Sequence, residues 1–252
     1  MRLSATLVRL AVAVVGASQI ACGDAPAEGA AALEQGSTAN HIDCDVSLGA
    51  LSIGHLHGIS ILEPTRVPIS DGERTRHLNE LDALPVVMHD VFRARGLTIS
   101  LTGGSVVNFA EFQDLRGVTP RGWEGTNLTW DKVPGTGVAK GVYLGDSAKP
   151  NNAYSLAMHE GTHTIDRALS FSTRSAALKG LYADELTRRA NPSDANARYR
   201  RSNVEEYLAV AVDEYYCNAT TRQNLRARYP DMHAYVATAL DAEVSSLASH
   251  RR

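Results

Sequence analysis

The chain has 252 residues, a formal net charge of -3 and a hydrophobic content of 44%. This length allows one domain of about 200 residues after processing, enough to bury a sizeable core. The slightly negative charge gives no general case for nucleic-acid binding, and the hydrophobic content is ordinary for a soluble globular protein.

Residues 1–22 have the pattern of a signal peptide. Basic residues near the start precede a short apolar run over residues 10–17, which is too short to span a membrane as a mature helix. The segment then resembles a lipoprotein cleavage box that ends at Cys22, and ordinary cleavage near Ala21 is the alternative. We therefore predict an exported bacterial protein that is either secreted or anchored to the membrane through lipid on Cys22.

A flexible tether and one domain are predicted to follow. Residues 23–42 are rich in Ala, Gly, Glu and Ser, which is typical of a flexible linker. Residues 43–252 form the predicted domain. If Cys22 carries lipid, Cys44 and Cys217 remain of the three cysteines. We expect these two to pair in an exported protein, and two free, buried thiols are the alternative.

The first half of the domain contains predicted strands and a helix. Alternating apolar residues predict one or two strands within residues 51–62 and another at 97–101. Apolar residues at three- and four-residue steps predict a helix over residues 73–95, which Pro85 should kink or divide. The Gly- and Pro-rich residues 117–137 should form a loop.

An HExxH motif occupies residues 159–163. Residues four apart lie on one face of a helix, so His159 and His163 can hold one zinc ion while Glu160 lies where a general base must lie. The helix should run to about Leu169. Asp166 shares the same face and suits a carboxylate that orients an imidazole.

A short strand is predicted at residues 141–145, just before the motif helix. In HExxH peptidases of this type, we expect such a sheet edge to pair with extended substrate. After the motif, residues 176–186 should be helical and the polar, Arg-rich residues 187–202 should form a loop. Residues 223–247 should form one or two terminal helices.

A third metal ligand is needed, because a catalytic zinc takes three protein ligands and leaves one position open for water. Asn203 is a predicted N-cap for an apolar helix that runs to Tyr215. Either Glu205 or Glu206, near the start of this helix, can reach a metal. Periodicity slightly favours Glu205, which flanks the larger apolar stripe, but the pattern does not settle the choice.

Residues 199–209 resemble the metal-ligand helix of the anthrax toxin lethal factor-like zinc metallopeptidases, which include the Pro-Pro endopeptidases. That family has a Tyr, then seven residues later a ligand Glu followed by two aromatic or aliphatic residues and Ala. In this register Tyr199 is the transition-state helper, delivered by the predicted loop, and Glu206 is the third ligand. The Thr-Pro-Arg-Gly-Trp-Glu-Gly segment at 119–125 and the motif helix with its trailing Asp166 are also similar to the family.

The resemblance spans roughly residues 75–238 and implies an α+β, zincin-like metallopeptidase domain. Its expected parts are a small N-terminal sheet-and-helix lobe, an active-site HExxH helix and a mainly helical C-terminal lobe. It implies an endopeptidase that uses one zinc ion, with Glu160 as general base and the Tyr199 hydroxyl stabilising the oxyanion. The implied substrate is a peptide or protein, and Pro-containing peptides are the first candidates. We expect a monomer that touches a membrane only through a lipid anchor.

One departure from the family supports a different function. The family often has a second Glu four residues after the ligand Glu, where this chain has Val210. Asp213 is the residue that can supply the missing hydrogen bond. This departure supports the alternative of a zincin-fold binding module that is weakly active or inactive. A separate alternative is a zinc hydrolase that acts on a non-peptide substrate.

Overall fold

The computed structural model describes residues 44, 51, 53–120, 127–146, 154–188 and 195–249. The predicted signal peptide, Cys22 and the tether at 23–42 lie outside these residues, as do residues 121–126 of the family-like segment. Over the described ranges, no helix is both long and apolar enough to cross a membrane.

The described residues form a mixed α/β structure that is mostly helical. The α-helices are α1 (Asp71–Asp82), α2 (Val86–Arg95), α3 (Leu156–Leu169), α4 (Phe171–Arg174), α5 (Ala176–Arg188), α6 (Ala195–Arg200), α7 (Val204–Cys217), α8 (Ala219–Arg228), α9 (Pro230–Thr238) and α10 (Leu240–Ser249). Short 3-10 helices cover Val106–Asn108, Ala110–Leu115 and Trp130–Lys132.

A small sheet lies beside these helices. Its strands are β1 (Ser60–Leu62), β2 (Thr98–Leu101), β3 (Gly135–Val138) and β4 (Gly141–Leu144). In the part of the chain that the structure describes, the strand order is β1-β2-β4-β3. Strands β1, β2 and β4 are parallel to one another, and β3 lies at the edge, antiparallel to β4.

The core forms around α3, which packs against β3, β4, α1 and α7. Met158, Ile165 and Leu169 of α3 are buried in this core. Buried apolar area is the main stabilising contribution to folding, so the motif helix is fixed on several sides at once. The predicted helix through residue 169 is confirmed.

Pro85 divides the helix predicted over residues 73–95. The first half, α1, begins at residue 71 behind the N-cap Ser70, whose side chain accepts a hydrogen bond from the Glu73 amide. Pro85 itself caps α2, because its fixed φ and missing N–H suit the start of a helix. Both halves therefore remain helical with a corner between them.

The strand prediction for residues 51–62 is wrong for its middle part, because the strand covers only Ser60–Leu62. The backbone amides of His55 and Leu56 donate to the Asp82 carboxylate at 2.7 and 3.0 Å, so they bond to α1 and not to a neighbouring strand. Gly58 then completes a turn with φ of 81°, a backbone conformation that residues with a side chain rarely adopt.

Two further corrections concern the sheet. Residues 135–137 are part of β3, although the whole of 117–137 was predicted as loop. The predicted strand at 141–145 exists as β4, but it lies between β2 and β3 and so is not an edge. Two of the four residues of β3 are glycines, which have low strand propensity, so the sequence did not predict this strand. The edge strand beside α3 is β3.

The C-terminal predictions are corrected in two places. Residues 195–200 form the short helix α6, not a loop. The terminal region contains three helices, α8 to α10, which begin at residue 219. Asn218 starts this run with a capping box shared with Thr221. The predicted helices at 176–186 and 203–215 are confirmed as α5 and α7.

A disulfide joins Cys44 to Cys217, with an S–S distance of 2.14 Å and Cα atoms 4.5 Å apart. It links the first described residue to the last residue of α7. Both cysteines are buried. The bond therefore ties the start of the domain to the helix that carries Glu205 and Glu206.

Candidate metal centre and active site

The N-terminus of α3 is held by a buried polar network. The Ser155 hydroxyl accepts a hydrogen bond from the Met158 amide at 3.0 Å and donates to Glu80 at 2.8 Å. Asp213 of α7 accepts from the amides of Tyr154 and Ser155 at 2.8 and 2.9 Å. These bonds satisfy backbone donors that a helix N-terminus leaves open, and they fix α3 against α1 and α7.

Three side chains converge where α3 faces α7. The Nε2 atoms of His159 and His163 lie 3.1 Å apart. Glu206 reaches both imidazoles, with Oε2 at 3.1 Å from His159 Nε2 and Oε1 at 3.3 Å from His163 Nε2. All three side chains are buried, and their donor atoms lie within 4.8 Å of one another, so they could hold a metal ion.

The structure separates the two candidate carboxylates of α7. Asn203 caps the helix, its Oδ1 accepting from the Glu206 amide at 2.8 Å. Glu206 then reaches the two histidines of α3, whereas Glu205 reaches Arg167 farther along the same helix, with 3.4 Å between Oε2 and Nη2. Glu206 therefore joins the cluster with the two histidines, and Glu205 does not.

The donor set fits a divalent metal ion. Two imidazole nitrogens and a carboxylate are the ligands of one common type of catalytic zinc site. The two Nε2 atoms and the Glu206 carboxylate oxygens are buried at 3.1 to 3.3 Å from one another. Buried lone pairs directed at one another cost free energy unless a proton or cation lies between them.

The electrostatics of the cluster also favour a cation. Burial lowers the pKa of His159, but the hydrogen bond and charge of Glu206 outweigh burial and raise that pKa to about 9. Burial raises the pKa of Glu206, yet the neighbouring imidazoles hold it well below its usual range. The same negative field that favours a second proton on His159 favours a bound cation.

Glu160 lies beside the cluster and bonds to the edge strand. Its carboxylate Oε2 accepts a hydrogen bond from the Gly137 amide of β3 at 2.8 Å. A Cβ atom on Gly137 would lie 2.8 Å from the Thr164 amide nitrogen and 2.9 Å from His163 Cβ, and closer still to the Glu160 carbonyl oxygen. Only glycine therefore allows β3 to approach α3 this closely.

Arg167 links α3 to β3 and to Glu205, and these contacts were not predicted from the sequence. One of its guanidinium nitrogens donates to the Gly137 carbonyl. The other reaches Glu205. Arg167 lies four residues after His163, so helical spacing alone placed it on the same face. Its link to β3 joins residues 30 apart in sequence and could not be read from local pattern.

Tyr199 borders the donor set from α6. Its hydroxyl lies 3.4 Å from His159 Nε2, and the two rings stack with centroids 6.0 Å apart. This distance is longer than that of a normal hydrogen bond to nitrogen, so the hydroxyl borders the cluster without a short bond to His159.

Among the described residues, Asp166 makes no hydrogen bond to an imidazole. Its Oδ1 accepts from the Ser172 amide at 2.6 Å, which secures the corner between α3 and α4. Burial raises the pKa of Asp166, and the charge of His163 lowers it, so the two groups interact electrostatically. The sequence predicted that the Asp166 carboxylate would orient an imidazole through a hydrogen bond, and the structure does not show that bond among its described contacts.

Val210 is buried in the core, and Asp213 bonds to the start of α3. Burial raises the pKa of Asp213 to about 8, although His159 and the two amides lower it. Asp213 thus supports the helix that carries both histidines and does not contact an imidazole by a hydrogen bond.

Comparison with known proteins is consistent with this geometry. Residues 68–239 match the family model described as "Anthrax toxin lethal factor, N- and C-terminal domain". A Pro-Pro endopeptidase from Paenibacillus alvei is 32% identical over 165 residues, covering 62% of this chain and 72% of that relative. Another from Clostridioides difficile is 32% identical over 151 residues, covering 58% of this chain and 66% of that relative.

A solved structure is also similar. The Pro-Pro endopeptidase structure from Paenibacillus alvei aligns with a TM-score of 0.61 and 27% identity, over 73% of this chain and 98% of that chain. These relatives support a peptidase function for the chain. The resemblance predicted from the motifs is confirmed, and the chain belongs to the anthrax toxin lethal factor family.

Proposed function

We propose that this protein is an exported, zinc-dependent endopeptidase. The observation that carries the proposal is the buried convergence of His159, His163 and Glu206, with Glu160 and Tyr199 at its border. Membership of a family whose relatives here are peptidases supports hydrolysis of a peptide bond. The proposal includes a zincin-like arrangement, with α3 between a sheet-and-helix lobe and a helical C-terminal lobe.

The ligands and the general base have separate roles. His159, His163 and Glu206 would hold one zinc ion, which, when bound, polarises a carbonyl and brings the pKa of a water toward neutrality. Glu160 accepts the proton of the attacking water and delivers it to the leaving amine. The Gly137 amide orients one carboxylate oxygen of Glu160, so the base is held in position before substrate arrives.

Tyr199 supplies a hydrogen-bond donor for the transition state. Its hydroxyl lies beside His159, where negative charge on the scissile carbonyl oxygen would develop. A positioned donor at such an oxygen stabilises the tetrahedral state more than the ground state. Loss of one donor of this kind typically lowers kcat by about 100- to 1000-fold.

The substrate chain adds beside β3 by strand addition. The Gly137 amide and carbonyl point away from β4, and Glu160 and Arg167 occupy them. In an antiparallel pair alternate residues turn their peptide groups outward, which makes Gly135 the next residue of β3 available for pairing. Gly135 lies against Leu156 and Glu160 of α3, so a peptide paired there passes the general base.

Peptides with consecutive prolines are the first substrates to test, because both curated relatives are named Pro-Pro endopeptidases. The experiment is a paired digest of a proteome-derived library supplemented with Pro-Pro peptides. The zinc-loaded protein, starting at residue 23, is compared with its Glu160→Ala variant. Cleavage by the first and not by the second is expected, and the products give the preferred residues.

The same digest separates the peptidase from two other functions, and ester substrates separate those two from each other. A zincin-fold binding module that has lost activity is favoured by the apolar side chain of Val210 in the core beside the site. It would bind zinc and cleave nothing. A zinc hydrolase with a non-peptide substrate would also leave the library intact but would hydrolyse ester substrates in a Glu160-dependent way.

Export and lipid attachment belong to the proposal as well. The signal-like residues 1–22 and the linker-like residues 23–42 support a protein that is secreted or held at the bacterial surface through Cys22. The Cys44–Cys217 disulfide suits an oxidising compartment. Mass spectrometry of the protein isolated from cells distinguishes lipid on Cys22 from cleavage near Ala21.

A further inference from the structure

The helper tyrosine sits on an unusually short element. Helix α6 has six residues, Ala195–Arg200, and carries Tyr199 at its penultimate position. An isolated helix of this length is unstable in water, because the conformational entropy lost in nucleation exceeds the stabilisation from one turn of hydrogen bonds. Contacts with the rest of the molecule must therefore set the direction in which Tyr199 points.

Arg200, the next residue, supplies the most buried of these contacts. Its side chain is only 2% exposed and is among the largest fully buried side chains of the described chain. One guanidinium nitrogen donates to the Glu214 carboxylate of α7. The guanidinium carbon lies 4.1 Å from the centroid of the Tyr229 ring. Arginine is suited to such a site, because its planar group can pair and stack at once.

These contacts fix both the place and the rotation of α6. Successive residues of an α-helix project about 100° apart, so a fixed Arg200 determines the direction of Tyr199. Glu214 is on the same helix as the metal-ligand candidate Glu206. The anchor of the helper and the third ligand therefore share one rigid element.

Two further attachments of this segment lead to α5. Tyr182 of α5 donates to the Arg201 carbonyl at 2.8 Å, and Arg201 donates to the Leu186 carbonyl at 3.0 Å. Both hold the end of α6 to α5 and are nearer the surface. The Arg200 contacts differ because they come from a buried side chain and reach Glu214 of α7 and Tyr229, the residue between α8 and α9.

We propose that Arg200 is a positioning residue, which directs the Tyr199 hydroxyl toward the His159 side of the site by anchoring α6 to Glu214 and Tyr229. The inference rests on the proposed function, because it assumes that Tyr199 acts on the developing oxyanion. Arg200 is not one of the ligand candidates, and the role inferred for it acts through Tyr199.

The test is a double-mutant cycle between Arg200→Lys and Tyr199→Phe. Lysine keeps the charge beside Glu214 but loses the planar stack on Tyr229. In the wild-type background we expect kcat to fall about 10- to 100-fold with KM nearly constant, since a misplacement of about 1 Å costs up to about 100-fold. In the Tyr199→Phe background, Arg200→Lys should cause no further loss, because the group it positions is already absent.

Two readouts do not depend on turnover. Zinc content should stay at the wild-type level in Arg200→Lys, since the ligands are on other elements. Hydrogen exchange at the amides of Arg201 and Ser202, which bond back to α6, should become faster. Exchange in α3 should not change.

Control variants separate positioning from general stability. Arg222→Lys changes another arginine stacked on a tyrosine, Tyr215, at 4.7 Å, on α8 and away from Tyr199. It should leave kcat unchanged. Glu214→Gln removes the charge of the partner with little change in shape, and should reproduce the loss of kcat if Arg200→Lys does not fold well enough to measure.

Several outcomes would overturn the inference. It fails if Arg200→Lys and Glu214→Gln leave kcat unchanged, if their losses are equally large in the Tyr199→Phe background, or if Tyr199→Phe is as active as wild type. Those results leave the peptidase proposal intact. Absence of Glu160-dependent cleavage in the wild type instead defeats the proposed function. Hydrogen exchange then still decides whether Arg200 orders α6, and unchanged exchange would refute the anchor.

Discussion

Gly137→Ala should damage the site without changing any of its functional groups. The new Cβ would lie 2.8 Å from the Thr164 amide nitrogen and 2.9 Å from His163 Cβ, where ordinary contact begins at 3.4 Å. The shortfall is 3.4 minus 2.8, or 0.6 Å at the nitrogen, and it is larger at the Glu160 carbonyl oxygen. These neighbours are backbone and Cβ atoms, which cannot rotate away.

Strand β3 must therefore move off α3. The hydrogen bond from the Gly137 amide to Glu160 is 2.8 Å long, and 0.6 Å of separation lengthens it to at least 3.4 Å. That is beyond the normal range for N–H···O bonds. The general base loses its orienting donor and the substrate strand shifts with β3. We expect kcat/KM to fall about 100-fold and the free energy of unfolding to fall by about 1–3 kcal/mol.

The assay combines peptide turnover with urea denaturation, on the best peptide found in the library digest. Gly180→Ala is the matched control, because a Cβ at Gly180 in α5 meets nothing within 4 Å. It should retain full activity and gain up to about 1 kcal/mol of stability from better helix propensity. Wild-type activity and stability in Gly137→Ala would refute the close packing of β3 on α3.

Further substitutions test the ligands, the disulfide and the buried acid. Glu206→Gln should abolish stoichiometric zinc binding, measured by mass spectrometry of bound metal, whereas Glu205→Gln should keep it; the reverse result would reassign the third ligand. Cys44→Ser should lower the free energy of unfolding by up to about 5 kcal/mol in urea, because the disulfide closes a loop of sequence separation 173. A loss under about 1 kcal/mol would mean that the reduced, unfolded chain is already constrained. Burial raises the pKa of Asp213 from 3.8 to about 8, so the folded protein keeps a proton that the unfolded chain has lost. The stability of the metal-stripped protein should therefore fall as pH rises from about 4 to about 8, and Asp213→Asn should remove the part of that slope below pH 6.5, where His159 is protonated in both states. An identical pH profile in Asp213→Asn would place the proton elsewhere.

The sequence was most informative where one local pattern decided the structure. The motif helix and α7 carry apolar residues at helical spacing, and Asn203 caps α7 as its side-chain chemistry predicts. Pro85 divided a long helical pattern because its ring cannot sit inside a helix. In each case a single local preference agreed with the tertiary packing.

Elements that depend on long-range packing could not be predicted in this way. Strand β3 contains Gly135 and Gly137, whose role is to let β3 approach α3, and this role is invisible to strand propensity. Helix α6 is polar and Arg-rich, and its buried Arg200 contacts Glu214 and Tyr229, which are distant in sequence. The local sequence pattern predicts a loop for both β3 and α6.

In the site, too, local pattern predicts some features and long-range packing decides the others. Helical spacing placed His159 and His163 on one face, but periodicity could not choose between Glu205 and Glu206, because both sides of α7 are largely apolar. Packing of α7 on α3 makes the choice by turning Glu206 inward. The link from Arg167 to Gly137 was unpredictable, because it joins positions that only the fold brings together.

Zinc titration of the metal-stripped protein, followed by cleavage of the best Pro-containing peptide, tests the central claim most directly. If one zinc ion held by His159, His163 and Glu206 supports hydrolysis, stripping should abolish cleavage. Activity should then rise linearly with added zinc and reach a plateau at one equivalent per chain. Cleavage that survives complete removal of metal, or no cleavage at a full equivalent of bound zinc, would contradict the assignment of this protein as a zinc peptidase.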